Sequence, residues 1–137
     1  MLTGLPKFFM CLPNNSKRNK TLRLAEILNM SHSLVTLSEE IDWCELEREV
    51  ETVHLSNQEL AAYPIRLFLG LHYLKYVYEV PDDLLLLTWI ENPYWQYFCG
   101  FEELQYDISL TSDLLSEWKV SMSDQLEVVL TLGVMSI

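Results

Sequence analysis

Several features that specify function in other chains are scarce in these 137 residues. The three cysteines lie far apart without a CxxC pair, and their odd number does not suit a secreted disulfide scaffold, so a reducing cytosol is expected. The four glycines are isolated, which excludes a glycine-rich phosphate loop. No apolar run approaches the roughly 20 residues of a membrane-spanning helix. Nine basic against 20 acidic residues give a net charge of −11, which argues against a general binder of nucleic acid or anionic membrane.

Side chains that could do chemistry show no catalytic or metal-binding spacing. His32, His54 and His72 and the cysteines match neither HExxH nor CxxC, so no metal site is predicted. No GxSxG or cysteine-centred signature frames a nucleophile. The glutamates that alternate over residues 45–51 predict a solvated helix face rather than an acid–base pair. We therefore expect no catalytic residue, no cofactor and no small-molecule substrate.

Hydrophobic residues, at 50% of the chain, are sufficient for the core of a single domain of this length. Positive charge is concentrated at the start: residues 1–30 hold five basic side chains against one carboxylate, a net charge of +4, and residues 31–137 carry −15. Residues 1–21 mix prolines with a polar, basic run and show no period, which predicts a mobile basic segment. Residues 22–137 are predicted to form one helical domain.

The first half of that domain predicts short helices. Residues 22–28 have helical apolar spacing, and Ser33 is a candidate N-cap for a helix that reaches Ile41. Residues 45–51 are predicted to be helical because Glu and Leu favour helix over strand. Residues 52–62 are polar and unpatterned, which predicts a connection.

The second half predicts the centre of the fold. A long helix is expected to start at Pro64 and to end at Pro81, with one apolar face formed by Leu67, Leu71, Leu74 and Tyr78. The next helix begins with acidic residues, is expected to be buried nearly all round over residues 84–90, and ends before Pro93. An aromatic corner, residues 94–98, follows; its rings could stack on bases, but its acidic neighbours favour core packing. Two further helices are predicted around Trp118 and from Leu126. The sum is an all-α domain of five or six helices, similar to a helix-turn-helix fold.

Four stretches carry a resemblance to a known family: SHSLV (31–35), IDW (41–43), GLHYLK (70–75) and, most specifically, WIENPYWQYFCG (89–100). They resemble the N-terminal domain of bacterial insertion-sequence transposases of the DDE class, the InsH-like group numbered five, and the likeness extends over residues 22–130. The resemblance implies a helical domain that recognises the ends of the element. It also implies a following RNase H-like domain with three metal-binding acids, and we expect this chain to lack that domain. We therefore expect a non-catalytic, truncated transposase fragment located at the nucleoid in a bacterial cytoplasm.

Two departures from the family pattern reduce the positive charge. The family usually has a basic cluster, approximately Leu-x-Arg-Trp-Arg-Lys-Arg-Ile-Gly, where this chain has LSEWKVSMS (115–123) with Lys119 alone. The family's Arg-Pro-Gly before the central helix is replaced by Leu60-Ala61-Ala62, although Pro64 and Arg66 are kept. Each missing phosphate contact removes about one unit of counterion release, so the departures predict weak binding to DNA.

The predicted partner is DNA at the terminal inverted repeats, bound weakly. The candidate phosphate contacts are basic side chains near the start and at the two places where the family pattern keeps a cation: Lys17, Arg18, Lys20, Arg23, Arg66 and Lys119. An alternative is an interaction module that pairs with intact transposase and inhibits it, or that self-associates through the apolar tail at residues 128–137. A third interpretation is a decayed remnant without activity.

Overall fold

Helices make up most of the computed structural model, which describes residues 22–123 and 125. The eight helices of this part are α1 (Leu24–Ile27), α2 (Ser33–Glu40), α3 (Trp43–Leu55), α4 (Gln58–Ala61), α5 (Ile65–Tyr78), α6 (Asp82–Glu91), α7 (Pro93–Phe98) and α8 (Ser112–Ser121). The described residues form no strand, and a single antiparallel bridge joins Arg23 to Glu103. The all-α prediction is confirmed. The basic segment at residues 1–21 and the helix predicted from Leu126 lie outside the described residues.

Helix α5 lies at the centre of the fold, as its apolar pattern predicts. Six of its residues are buried, namely Leu67, Phe68, Leu69, Gly70, Leu71 and Leu74. Helices α3, α6 and α7 all pack against it. The contact with α7 requires Gly70, because a β-carbon at this position would lie 2.5 Å from Sγ of Cys99. α5 thereby holds α3, α6 and α7 together.

Side-chain caps fix where several helices begin. His32, rather than the expected Ser33, caps α2, and its Nδ1 accepts a bond of 3.0 Å from the Leu34 amide. Asn92 caps α7 by accepting from the amides of Tyr94 and Trp95. Each cap satisfies an amide that the helix itself leaves without a partner.

The connection predicted over residues 52–62 is wrong, because most of it is helical. α3 continues to Leu55, and α4 follows after a short break. Asn57 supplies the reason: its Oδ1 accepts from the amides of Glu59 at 2.9 Å and Leu60 at 3.2 Å. Leu60 is fully buried, so this short polar helix still contributes to the core.

The central helix ends at Tyr78, before the proline that was expected to stop it. Glu79 adopts a left-handed conformation, with φ 54° and ψ 49°, and so ends α5. Tyr78 is also exposed rather than part of the buried face.

Helix α6 is not buried all round, contrary to expectation. Leu85 and Trp89 are buried, whereas Leu84 and Leu87 are 48% and 63% exposed. This helix therefore packs along one side only.

No helix of the described part is both long and apolar enough to cross a membrane.

Gln96 of α7 holds the irregular segment between α7 and α8 against the helices. Its side chain is completely buried. Nε2 lies within hydrogen-bonding distance of the carbonyl oxygens of Trp89 (3.3 Å), Ile90 (3.2 Å) and Gln105 (3.0 Å), and Oε1 accepts from the Gln105 amide at 2.8 Å. One amide side chain thus joins α6, α7 and the following segment.

Candidate nucleic-acid interface

The structure describes three of the six predicted phosphate contacts. Lys17, Arg18 and Lys20 lie outside the described residues. Arg66 belongs to the first turn of α5 and Lys119 to the last turn of α8, while Arg23 precedes α1. The three described cations occupy different environments.

Arg23 is the most exposed of the three, with 55% of its side chain accessible. Its Nε lies 3.7 Å from the carboxylate of Glu26, one helical turn away. Ion pairs this exposed contribute at most about 1 kcal/mol, so the pair leaves the guanidinium able to exchange partners. The position of Arg23 is compatible with a phosphate contact.

Arg66 is held inside the protein by several contacts. Its Nε donates to the Phe98 carbonyl at 3.2 Å, and its guanidinium lies over the Trp43 ring, 4.3 Å from the centroid. Gly100, with φ 96°, leaves room for it, because a β-carbon there would lie 2.8 Å from Cδ of Arg66. Burial lowers the pKa of this guanidinium, although nearby groups, Glu47 among them, oppose the change. Arg66 therefore connects α3, α5 and α7, and its assignment as a phosphate contact stays a prediction.

Glu47 is the partly buried member of the glutamate series on α3. Burial raises the pKa of its carboxyl, and Arg66 offsets part of that rise. Glu45, Glu49 and Glu51 are exposed. The series is thus a mostly solvated face, with one member, Glu47, near enough to Arg66 for their charges to interact.

Lys119 shares a carboxylate with a second lysine. Its Nζ lies 3.8 Å from Oδ2 of Asp82, while Nζ of Lys75 lies 3.5 Å from Oδ1 of the same side chain. Sequence reasoning did not single out Lys75, although it stands in the GLHYLK stretch that carries the family resemblance. Its relation to Lys119 depends on how α5 and α8 pack, which no local pattern encodes.

His72 lies one turn before Lys75, and the charges of Lys75, Lys119 and Asp82 affect its pKa. Burial lowers the pKa of the imidazole, and Lys119 and Lys75 lower it further, whereas Asp82 raises it. An open hollow of about 550 Å³ is lined by His72, Lys75, Tyr76, Val77 and Glu79.

The fold does not bring Lys75 and Lys119 close to Arg66. Arg66 and Lys75 are nine residues apart on α5, which corresponds to about 13 Å along the helix axis.

The aromatic corner is occupied by packing contacts. Trp95 and Phe98 are buried. The Tyr94 ring stacks on His32 at 3.9 Å, and its hydroxyl accepts from the Asn29 amide at 2.9 Å. These contacts agree with the expected core packing and leave these three rings few faces for bases.

Metal-binding geometry does not occur in the described part of the chain. Over residues 22–123 and 125, no group of three or more His, Cys, Asp or Glu side chains could hold a metal ion. Cys99 is buried, and burial raises the pKa of its thiol to about 12, so at neutral pH it is a protonated core residue.

Comparison with known proteins identifies the family. The family model described as "Transposase domain (DUF772)" matches residues 22–119, which include α1 to α7 and most of α8. A Rhizobium meliloti protein, described as uncharacterized protein ORF8 in the nfe locus, is 34% identical over 103 residues, which cover 75% of this chain and 49% of that protein. The chain thus spans about half the length of this curated relative. No solved structure matches. The chain belongs to the DUF772 transposase domain family.

Proposed function

We propose that this domain binds DNA at the ends of an insertion sequence, as the element-recognition part of a group-five transposase, in the bacterial cytoplasm at the nucleoid. The observation that carries the proposal is the match of the transposase-domain model to residues 22–119. The WIENPYWQYFCG stretch resembles the group-five transposases, and this resemblance supports both the choice of that group and the role of its N-terminal domain in recognising element ends. The binding partner is a terminal inverted repeat.

The charge distribution supports weak, salt-sensitive binding. The net charge of −11 opposes approach to DNA, so local clusters of cations must provide the phosphate contacts. Five or six basic residues give a log–log salt slope no steeper than about −5. We therefore expect measurable binding only at low salt.

We assign no strand-cleaving chemistry to residues 22–119. In the related transposases, the three metal-binding acids belong to an RNase H-like domain that follows the helical one. Incubation of the purified chain with magnesium and supercoiled plasmid is expected to leave the plasmid intact. A nicking activity that co-purifies with the chain through successive columns would contradict this assignment.

The test of DNA binding compares a duplex from the terminal inverted repeats with a scrambled duplex of equal composition. A mobility shift is expected for the repeat at about 50 mM salt, with loss of binding as salt rises to about 200 mM. Lys119→Gln should flatten the salt slope by about 0.9. Arg48→Gln is the matched control, because Arg48 is an exposed cation of α3 outside the predicted set. The proposal fails if neither duplex shifts at low salt, or if both shift equally.

A second candidate, an interaction module for intact transposase, is favoured by exposed apolar residues on α6. Leu84 and Leu87 lie three residues apart, on one face of the helix, and are largely exposed. Co-purification of the tagged chain with full-length transposase would support pairing. A Leu84→Gln/Leu87→Gln variant should abolish it, and retained pairing in that variant would contradict a role for this face.

A further inference from the structure

Three helix ends meet where Lys75, Asp82 and Lys119 lie together. Lys75 is in the last turn of α5, Asp82 is the first residue of α6, and Lys119 is in the last turn of α8. The two ammonium nitrogens lie 3.5 Å and 3.8 Å from the two oxygens of the Asp82 carboxylate. The three side chains remain 27%, 35% and 37% exposed, so a ligand can reach them from solvent.

The contacts of this carboxylate are loose. Charge-assisted hydrogen bonds between an ammonium and a carboxylate are about 2.7–2.9 Å long, well below both distances here. Oδ1 of Asp82 is buried and accepts no hydrogen bond, while Nζ of Lys75 donates instead to the Val80 carbonyl at 3.4 Å. Asp82 therefore sits between two cations without satisfying either of them well.

The group formed by Lys75, Asp82 and Lys119 has a net positive charge. Two ammonium groups face one carboxylate, and at His72 both lysines lower the pKa while Asp82 alone among the neighbouring charges raises it. Two exposed acids, Glu79 beside the hollow and Asp83 next to Asp82, bring the wider surface to two cations and three carboxylates. The positive charge is therefore confined to the group of Lys75, Asp82 and Lys119.

We infer that Lys75 and Lys119 form a binding site for a phosphodiester group of the DNA backbone, and that the Asp82 carboxylate occupies the phosphate position in the free protein. This inference rests on the proposed function, and it names the surface that performs it. A phosphate presents anionic oxygens to both lysines as the carboxylate does, and it takes this place when the Asp82 side chain, whose Oδ1 is buried, moves away. Asp82 then competes with DNA for the same two cations.

Removal of the competing charge should strengthen binding. Asp82→Asn removes one negative charge and so frees one unit of positive charge for phosphate, which should make the salt slope steeper by about 0.9. The expected affinity gain is at least about tenfold at 50 mM salt, because each additional phosphate contact adds counterion release.

The experiment measures fluorescence anisotropy of a short random-sequence duplex, since phosphate contacts do not depend on sequence. Asp83→Asn is the matched control: it removes the same charge from the same helical turn, but from a residue in none of the ion pairs found in the described part. We expect a large gain for Asp82→Asn and less than about a threefold gain for the control. Adding Lys75→Gln and Lys119→Gln to Asp82→Asn should cancel the gain. Circular dichroism melts establish that each variant is folded.

A second variant keeps the inference testable if Asp82→Asn does not fold. Lys75→Gln/Lys119→Gln, with Asp82 intact, should flatten the salt slope of the native chain. Equal gains from the two Asp variants, a gain that survives loss of both lysines, or an unchanged slope in the double lysine variant would each overturn the inference.

The outcomes also separate the site from the proposed function. If the native chain prefers the terminal repeat but Asp82→Asn binds no more tightly, element recognition stands and this site does not. If the native chain binds neither duplex but Asp82→Asn binds the random one through the lysines, the site stands and element recognition by the native chain does not. If no variant binds, both are overturned.

Discussion

Replacement of Gln96 by methionine tests how this fold holds its irregular segment. Methionine has a similar volume but can neither donate nor accept as the amide does. The change leaves the amide and carbonyl of Gln105 and the carbonyl of Ile90 without the bonds that they make to Gln96. The Trp89 carbonyl loses one partner but retains the Asn92 amide at 3.3 Å.

The expected loss of stability follows from these bonds. Each partly or fully buried polar group that loses its partner costs about 1–3 kcal/mol. Three such groups at the lower end of that range give about 3 kcal/mol. For a domain of this size, that corresponds to a decrease in Tm of about 9–15 °C.

Thermal unfolding followed by circular dichroism measures the change, with Gln105→Met as the matched control. The side chain of Gln105 makes only an exposed bond, from Nε2 to the Glu103 carbonyl at 2.9 Å, and its backbone bonds to Gln96 are unaffected by the substitution. The control should lose less than about 0.5 kcal/mol. A Gln96→Met variant that melts within about 2 °C of the native chain would refute the reasoning.

Three further substitutions or conditions probe local features. Glu79→Gly should stabilise the chain by about 0.5–1 kcal/mol in urea unfolding, because glycine adopts the left-handed backbone conformation of this position without steric strain. Glu79→Gln, which removes only the charge, should not stabilise the chain. Burial lowers the pKa of His54 and His72, so the unfolded chain binds their protons more readily. Stability should be complete above about pH 6.5 and decrease below it by up to about 1.4 kcal/mol per pH unit for each histidine, and urea unfolding at pH 7.5 and 5.5 that gave equal stability would contradict this. Arg66→Lys should destabilise the chain by about 2 kcal/mol, because lysine cannot reproduce both the stacking on Trp43 and the Nε bond, and an unchanged Tm would contradict it.

Local signals predicted several elements well. The prolines and acidic residues around α6 and the apolar spacing of α5 and α8 correspond to the observed helices, because these signals act within one or two turns. The missed helix α4 also had a local signal, an asparagine cap at Asn57, but its short polar sequence gave no apolar period. The predicted burial of residues 84–90 failed because composition cannot tell which side of a leucine-rich helix faces the core.

The candidate site could be predicted only in part, because its chemistry depends on contacts between distant residues. The sequence identified Arg66 as a candidate phosphate contact but did not reveal its contacts. Trp43 lies 23 residues and Phe98 lies 32 residues from Arg66 in the sequence, so these contacts are set by packing. The pairing of Lys75 and Lys119 through Asp82 likewise joins three helices. A sequence pattern can therefore supply the list of charges, but only the fold decides which of them act together.

The stretch at residues 89–100, which most clearly signals the family, consists largely of residues that pack the core. Trp89, Trp95 and Phe98 are buried, Gln96 bonds three segments, and Gly100 accommodates the Arg66 side chain. A match over such a stretch predicts that the helices pack in the family's way. It does not predict phosphate binding, because the proposed phosphate contacts lie outside this stretch, and the residues around Trp118 depart from the family's basic pattern. Measurements on Lys75, Asp82 and Lys119, rather than closer scrutiny of the motif, will therefore decide whether this transposase domain binds DNA.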